Sequence, residues 1–252
     1  MNEENFYRAG SPRQAERGNM LFIILIAVVL IGLLTAAIQR SNRPEGANID
    51  KETLVVRATE VQRYASEIER AVLFILQNGK SESDIRFAHP DAPSDYGDLG
   101  ADADPTDQVF HRLGGGATYR DPPEDVNDGS AWEFYGGTAL PGVGSNKADL
   151  IAVLPNVTQQ FCDRINKVVG QNGTPADTGG SLAAGANAGD CVNLGAAGRF
   201  GAAHTFYTAP NTVDEASFEQ DPSISQPYTA TQACVVCAAD AAQHFYHVLL
   251  AR

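Results

Sequence analysis

The chain has 252 residues, with 18 Lys plus Arg against 31 Asp plus Glu, a formal net charge of −13 and 43% hydrophobic residues. That balance repels a phosphate backbone from most of the surface and excludes nucleic-acid binding through a broad basic face. Setting aside the first 48 residues leaves about 200, enough to bury a real hydrophobic core.

An uncharged run, MLFIILIAVVLIGLLTAAI, extends from Met20 to Ile38. At about 1.5 Å per helical residue it nearly crosses a hydrocarbon core of about 30 Å. A secretory leader has a shorter apolar core, of about 7–15 residues. The expectation is therefore a retained transmembrane helix over residues 19–40, with cleavage near Thr35, Ala36 and Ala37 as the lesser reading. Arg8, Arg13 and Arg17 on one side balance Arg40, Arg43 and Lys51 on the other, so basic residues do not orient the span. Everything able to fold lies after it, which favours a short inner tail and an extracytoplasmic domain.

Pro44 and Gly46 mark a hinge over residues 41–48. Leu54, Ala58, Val61, Ala65, Ile68, Val72 and Ile75 then recur at steps of four and three, predicting an amphipathic helix over 49–79. Arg57, Glu60, Arg63, Glu67 and Arg70 fall on its other face, where Arg63 and Glu67 are spaced to pair. Asp50 and Glu52 suit its N-terminal end, and Gly79 its C-terminal cap. Such a helix needs a partner surface, and the sheet of its own domain is the expected one.

Residues 80–252 read as a loop-rich domain. Asp91, Asp95, Asp98, Asp102, Asp104 and Asp107 supply the oxygen ligands that Ca²⁺ takes, with Asp102, Asp104 and Asp107 the closest set. The spacing is not that of an EF-hand and lacks its closing Glu, so a solvated acidic loop is the expectation, with no metal or other cofactor. LGGGATY lacks the Lys-Ser/Thr of a phosphate loop and reads as a turn. AWEFYGG reads as a strand by alternation and KADLIAVLPN as a buried strand. TQQFCDRINKVVG predicts a short helix burying Phe161, Ile165 and Val168. Residues 171–203 are poor in core residues, RFGAAHTFYTA suggests a strand, and CVVCAADAAQHFYHVLLAR suggests two strands with a turn near residues 240–243.

Cys162, Cys191, Cys234 and Cys237 form an even set beyond the span, which fits an oxidising compartment and two disulfides, with three pairings open. The CVVC spacing also suits a metal knuckle or redox pair, but no second CxxC and no His at finger spacing accompany it. His244 and His247 point to opposite faces of a strand and cannot share a metal. NVT at 156 and NGT at 172 match the glycosylation acceptor pattern. No nucleophile triad, carboxylate pair or dinucleotide fingerprint stands out, so the expectation is a protein that is not an enzyme.

The sharpest segments are RGNMLFIILIAVVL at 17–30, IDKE at 49–52, LPNVTQQFCDRIN at 154–166 and FYHVLLAR at 245–252. Their order, a polar leader ending in Gly18, an apolar helix, a hinge, an amphipathic helix and late strands with cysteines, resembles type IV pilins and the pseudopilins of type II secretion. It looks most like a pilin-like group of alphaproteobacterial proteins. The resemblance implies a 1–18 leader cut after Gly18 by a prepilin peptidase, with Asn19 as the new N-terminus. It also implies an α+β fold, a long broken helix on a small antiparallel sheet, and filament growth from the inner membrane on an assembly platform. The partners would be copies of the chain or other pilin-like subunits, with Met20, Leu21, Phe22, Ile23 and Gly32 in the filament-core helix. The chain departs from the family at two positions: Asn19 stands where Phe or Met is usual, and Ile23 where Glu is usual. The alternative reading is a single-pass anchored binding or adhesion domain that does not assemble.

Overall fold

The computed structural model describes residues 24–31 and 46–252, apart from 90–91, 94–95, 98, 102, 172, 178–190, 202–204, 207–210, 214–217 and 219–230. Gly18, Asn19, Met20, Leu21, Phe22, Ile23, Gly32 and Pro44 lie outside the described residues, as does Asp102. Two compact units divide the chain, Met1–Asp50 and Lys51–Arg252. In the first, residues 24–31 form helix α1.

Helix α2 spans Gly46–Gln77. It starts inside the expected hinge, with Gly46 as its first residue, so Asp50 falls in the second turn instead of the first. A glycine disfavours helix by only about 1 kcal/mol, and nothing between it and Asp50 breaks one. The helix closes at Gly79, whose φ of 86° is the left-handed conformation suited to a helix end, and whose N–H donates to the Leu76 carbonyl. Ala58, Val61, Ala65, Ile68, Val72 and Ile75 are all buried, and Leu54 packs against the same core.

The fold is α+β. Strands β1 (Glu133–Ala139), β2 (Asp149–Leu154), β3 (Ala176–Asp177), β4 (Asn211–Thr212), β5 (Gln232–Cys237) and β6 (Gln243–Leu250) form one sheet in the order β3-β5-β6-β2-β1-β4. The central pairs β1/β2, β2/β6 and β5/β6 are antiparallel, but β3/β5 and β1/β4 are parallel. The expected purely antiparallel sheet is thus corrected to a mixed one. Both edge strands are two-residue pieces of long returning segments, which join the sheet in whichever direction they happen to run.

Helix α2 and the short helix α3 (Gln159–Val168) share a core with Phe134, Leu150, Ala152, Leu154, Cys234, Phe245 and Leu249 on one face of the sheet. Tyr135, Ile151, Val153, Val235 and Tyr246 on the other face pack with Val192, Val213 and Phe218 from the connecting segments. With both faces covered, every residue of β1 and β2 is buried, so the alternation in AWEFYGG does not mark a solvent face. In α3, Thr158 caps the N-terminus by accepting from the Phe161 N–H. Phe161 and Ile165 are buried, but Val168 is exposed and Cys162 and Asn166 fill the inner face instead. A stripe at 3.6 residues per turn runs through 162 and 166 and leaves 168 outside.

Residues 80–130 are loop-rich, as expected, with only short 3-10 turns, but they also supply much of the core. Ile85, Phe87, Tyr96, Val109, Phe110, Tyr119 and Val126 belong to the main core. Phe87 stacks on Phe134 of β1 with ring centroids 4.0 Å apart and planes 4° from parallel. The segment carries its own backbone bonds, Val109 N to Arg86 O and Ala117 N to Val109 O, so it can bury side chains without regular structure. The glycines of LGGGATY are a turn whose amides are used internally, Gly115 N on Gln108 O and Gly116 N on His111 O. A Cβ on Gly115 would sit 2.8 Å from Ala71 Cβ, so the turn presses against α2 too closely for any side chain. Among the described residues of 199–209 there is no strand. Arg199 makes an isolated bridge with Tyr135, and Phe200 N donates to Phe134 O.

Candidate functional site

Among the described residues the most exposed apolar feature is α1. Ile24, Leu25, Ile26, Val28, Val29, Leu30 and Ile31 are each between 41% and 66% exposed. A helix that borders water carries a polar face, whereas this one is apolar all round, the pattern of helices surrounded by other apolar groups. Among the described residues no helix is long and apolar enough to cross a membrane.

The outward face of α2 is charged between two apolar ends, with Val56 and Phe74 exposed. The expected Arg63–Glu67 pair is not made: both Glu67 oxygens accept from the Arg120 guanidinium, at 2.9 and 3.2 Å. Arg57 instead bonds Asp125 at 2.6 Å. In both cases a loop that folds over the helix competes successfully with helix neighbours. Tyr64, whose hydroxyl accepts from Arg120 N at 2.9 Å, lies under that guanidinium, and burial raises its phenol above its ordinary range.

The four cysteines form Cys162–Cys234 and Cys191–Cys237. The first ties α3 to β5. One turn beyond Cys162, the buried Asn166 amide donates to Cys234 O and accepts from Cys234 N, standing in for a neighbouring strand along that part of the β5 edge. The second bridge holds the start of the segment beginning at Cys191, where Val192 N donates to the buried Asp177 carboxylate at 2.7 Å.

Of the acidic candidates, Asp104 and Asp107 are among the described residues. Asp104 accepts from Lys80 Nζ and from Thr106, capping a 3-10 turn over Pro105–Asp107, and the Lys80 bond first of all draws its carboxyl down to about 2. Asp107 lies within that turn. Among the described residues no cluster of three or more His, Cys, Asp or Glu is arranged to hold a metal ion. Asn156 of NVT donates to Asp128 Oδ2 at 2.9 Å, and Asn172 lies outside the described residues. His247 Nε2 sits 2.8 Å from Glu69 of α2, while His244 Nδ1 accepts from Asn156 N on the other side of the strand.

Two buried charge arrangements were not visible in the sequence. Glu133 of β1 receives a two-pronged bond from Arg199, both contacts at 2.7 Å, and a third from the Tyr96 hydroxyl at 2.8 Å. Asp149 of β2 accepts from Leu140 N at 3.2 Å and Arg252 N at 2.9 Å, and burial pushes its carboxyl up to about 6. Each joins residues far apart in sequence, so no local spacing announces them. In both, the contacts lie within the chain and tie distant segments to the sheet. No protein-family model, curated protein or solved structure matches this chain.

Proposed function

We propose that the chain is a non-enzymatic, pilin-like structural subunit, inserted in the inner membrane through residues 19–40 and built into an extracellular or periplasmic filament by packing of that apolar helix. The observation that carries this reading is α1, apolar all round and exposed on every large side chain, placed in the sequence before a disulfide-linked α+β unit. Apolar packing suits a helix that lacks any charged residue from Met20 to Ile38, and Gly32 permits close approach of a second helix. The two disulfides support an oxidising compartment for the outer unit.

The deciding experiment is mass spectrometry of the mature N-terminus in membrane and extracellular fractions. The expected result is a chain beginning at Asn19, and its loss in a Gly18→Ala variant together with loss of filaments. A chain that keeps Met1 in cells, with extracellular filaments lacking it, overturns the proposal. Ile23 favours one second reading, a single-pass anchored binding domain, because an apolar residue there cannot pair with the amine of a neighbouring subunit. A Gly18 variant of unchanged size, location and binding would support that reading.

A further inference from the structure

The outward stripe of α2 reads as its own complement when reversed. Val56 and Phe74 lie nine residues either side of Ala65, Glu60 and Arg70 lie five either side, and Arg63 and Glu67 two. At 3.6 residues per turn the six fall within an arc of about 80° on one side of the helix. That side faces away from the core formed by Ala58, Val61, Ala65, Ile68, Val72 and Ile75.

A two-fold axis level with Ala65 would therefore set each acid of one helix against a base of the other, with an apolar contact at both ends. The pairs would be Glu60 with Arg70, Arg63 with Glu67, and Val56 with Phe74, each made twice. Among the described residues, Glu60, Arg63 and Arg70 make no ion pair within their own chain. Glu67 already holds Arg120, which leaves it able to accept a second guanidinium on its exposed side. Val56 is 65% exposed and Phe74 50%, and a second copy would cover both. Parallel packing in register would instead oppose Glu60 to Glu60 and Arg63 to Arg63, which repel.

We propose that this face of α2 is an antiparallel homodimer interface, occupied by the same face of a second copy. The contact is about 27 Å long by helix rise, so it is a weak, salt-sensitive association. Helices inserted from one side of a membrane run parallel, so the pair belongs to a state other than a packed filament core, and it does not depend on processing at Gly18.

The test uses the full chain in detergent micelles at low salt. All four native cysteines are paired, so an added thiol has no partner within the chain. V56C and F74C are prepared separately and mixed under mild oxidation. The expected result is cross-linked dimer in the mixture and none in either variant alone. Cross-linking of V56C with itself, or none in the mixture, overturns the proposal. A second arm, by sedimentation, avoids any added thiol: E60R and R70E should each lose the dimer, and mixing them should restore it, since two bases on one helix then face two acids on the other. Failure to restore it overturns the proposal as well.

Discussion

Cys234 and Cys237 stand three residues apart on β5 and send their sulfurs through opposite faces of the sheet. Cys234 meets Cys162 of α3 on the side of the main core, and Cys237 meets Cys191 on the other. A CxxC on a loop or helix end can share a metal or close on itself, but in an extended strand residues three apart diverge. The motif is therefore two independent staples driven through one strand.

The two bridges span 72 and 46 residues of chain. Loop-closure entropy gives each about 4 kcal/mol of stabilisation through the unfolded state. Removing Cys162–Cys234 as a paired Ser substitution should lower the thermal midpoint by several degrees, and reduction of both should abolish cooperative unfolding at 37 °C. Thermal melts followed by circular dichroism, with and without a thiol reductant, check this.

Asp149 gives a pH dependence of definite sign. Its carboxyl is raised from 3.8 to about 6 by burial, so folding favours the protonated form, and the stability this contributes is present at low pH and lost as pH rises through about 6. The loss is on the order of 3 kcal/mol across the window from about pH 4 to 6. His244 acts in the opposite sense, because burial holds its imidazole below the ordinary range and its contribution is lost as pH falls. The readout is therefore a comparison: denaturant unfolding of Asp149→Asn between pH 4 and 7 should lack the declining component seen in the parent chain.

Breaking the Glu133–Arg199 pair should be expensive. Their side chains are only 11% and 18% exposed, and Arg199→Ala leaves Glu133 with the Tyr96 hydroxyl as its remaining side-chain donor. The expected loss is about 3–5 kcal/mol in urea unfolding, whereas the double change Glu133→Leu with Arg199→Met should lose distinctly less. Equal losses in the single and double variants would show that the charge left unpaired is not what matters.

An acid placed in α1 tests the proposed membrane insertion without reference to processing. Val28→Asp adds about 2.5–3.5 kcal/mol to the insertion of a helix centre. If the proposal holds, the variant should shift from the membrane pellet to the soluble fraction after alkaline wash, while the unit Lys51–Arg252 retains its disulfides. Unchanged membrane retention would mean that these residues do not hold the chain in the bilayer.

Local pattern made much of this chain legible. The buried stripe from Ala58 to Ile75, the cap at Gly79, the short helix α3 and the four central strands all follow from periodicity and end residues acting within a few positions. The core contribution of 80–130 was not legible because its acidic residues are sequence neighbours of Phe87, Tyr96 and Phe110, which are buried in the core. Hydropathy averaged along a chain cannot separate neighbours that part company in three dimensions.

What the sequence by itself determined is the apolar run, the amphipathic helix, the even set of cysteines and the acidic balance, since each is set by residue type and short-range spacing. Only the tertiary structure decided which cysteines pair, that the edge strands run parallel, that Arg120 takes Glu67 from its helix neighbour, and that Asp149 and Glu133 are buried. Each of those joins groups tens of residues apart. Their energies come from burial and geometry that exist only once the sheet has brought distant segments into contact.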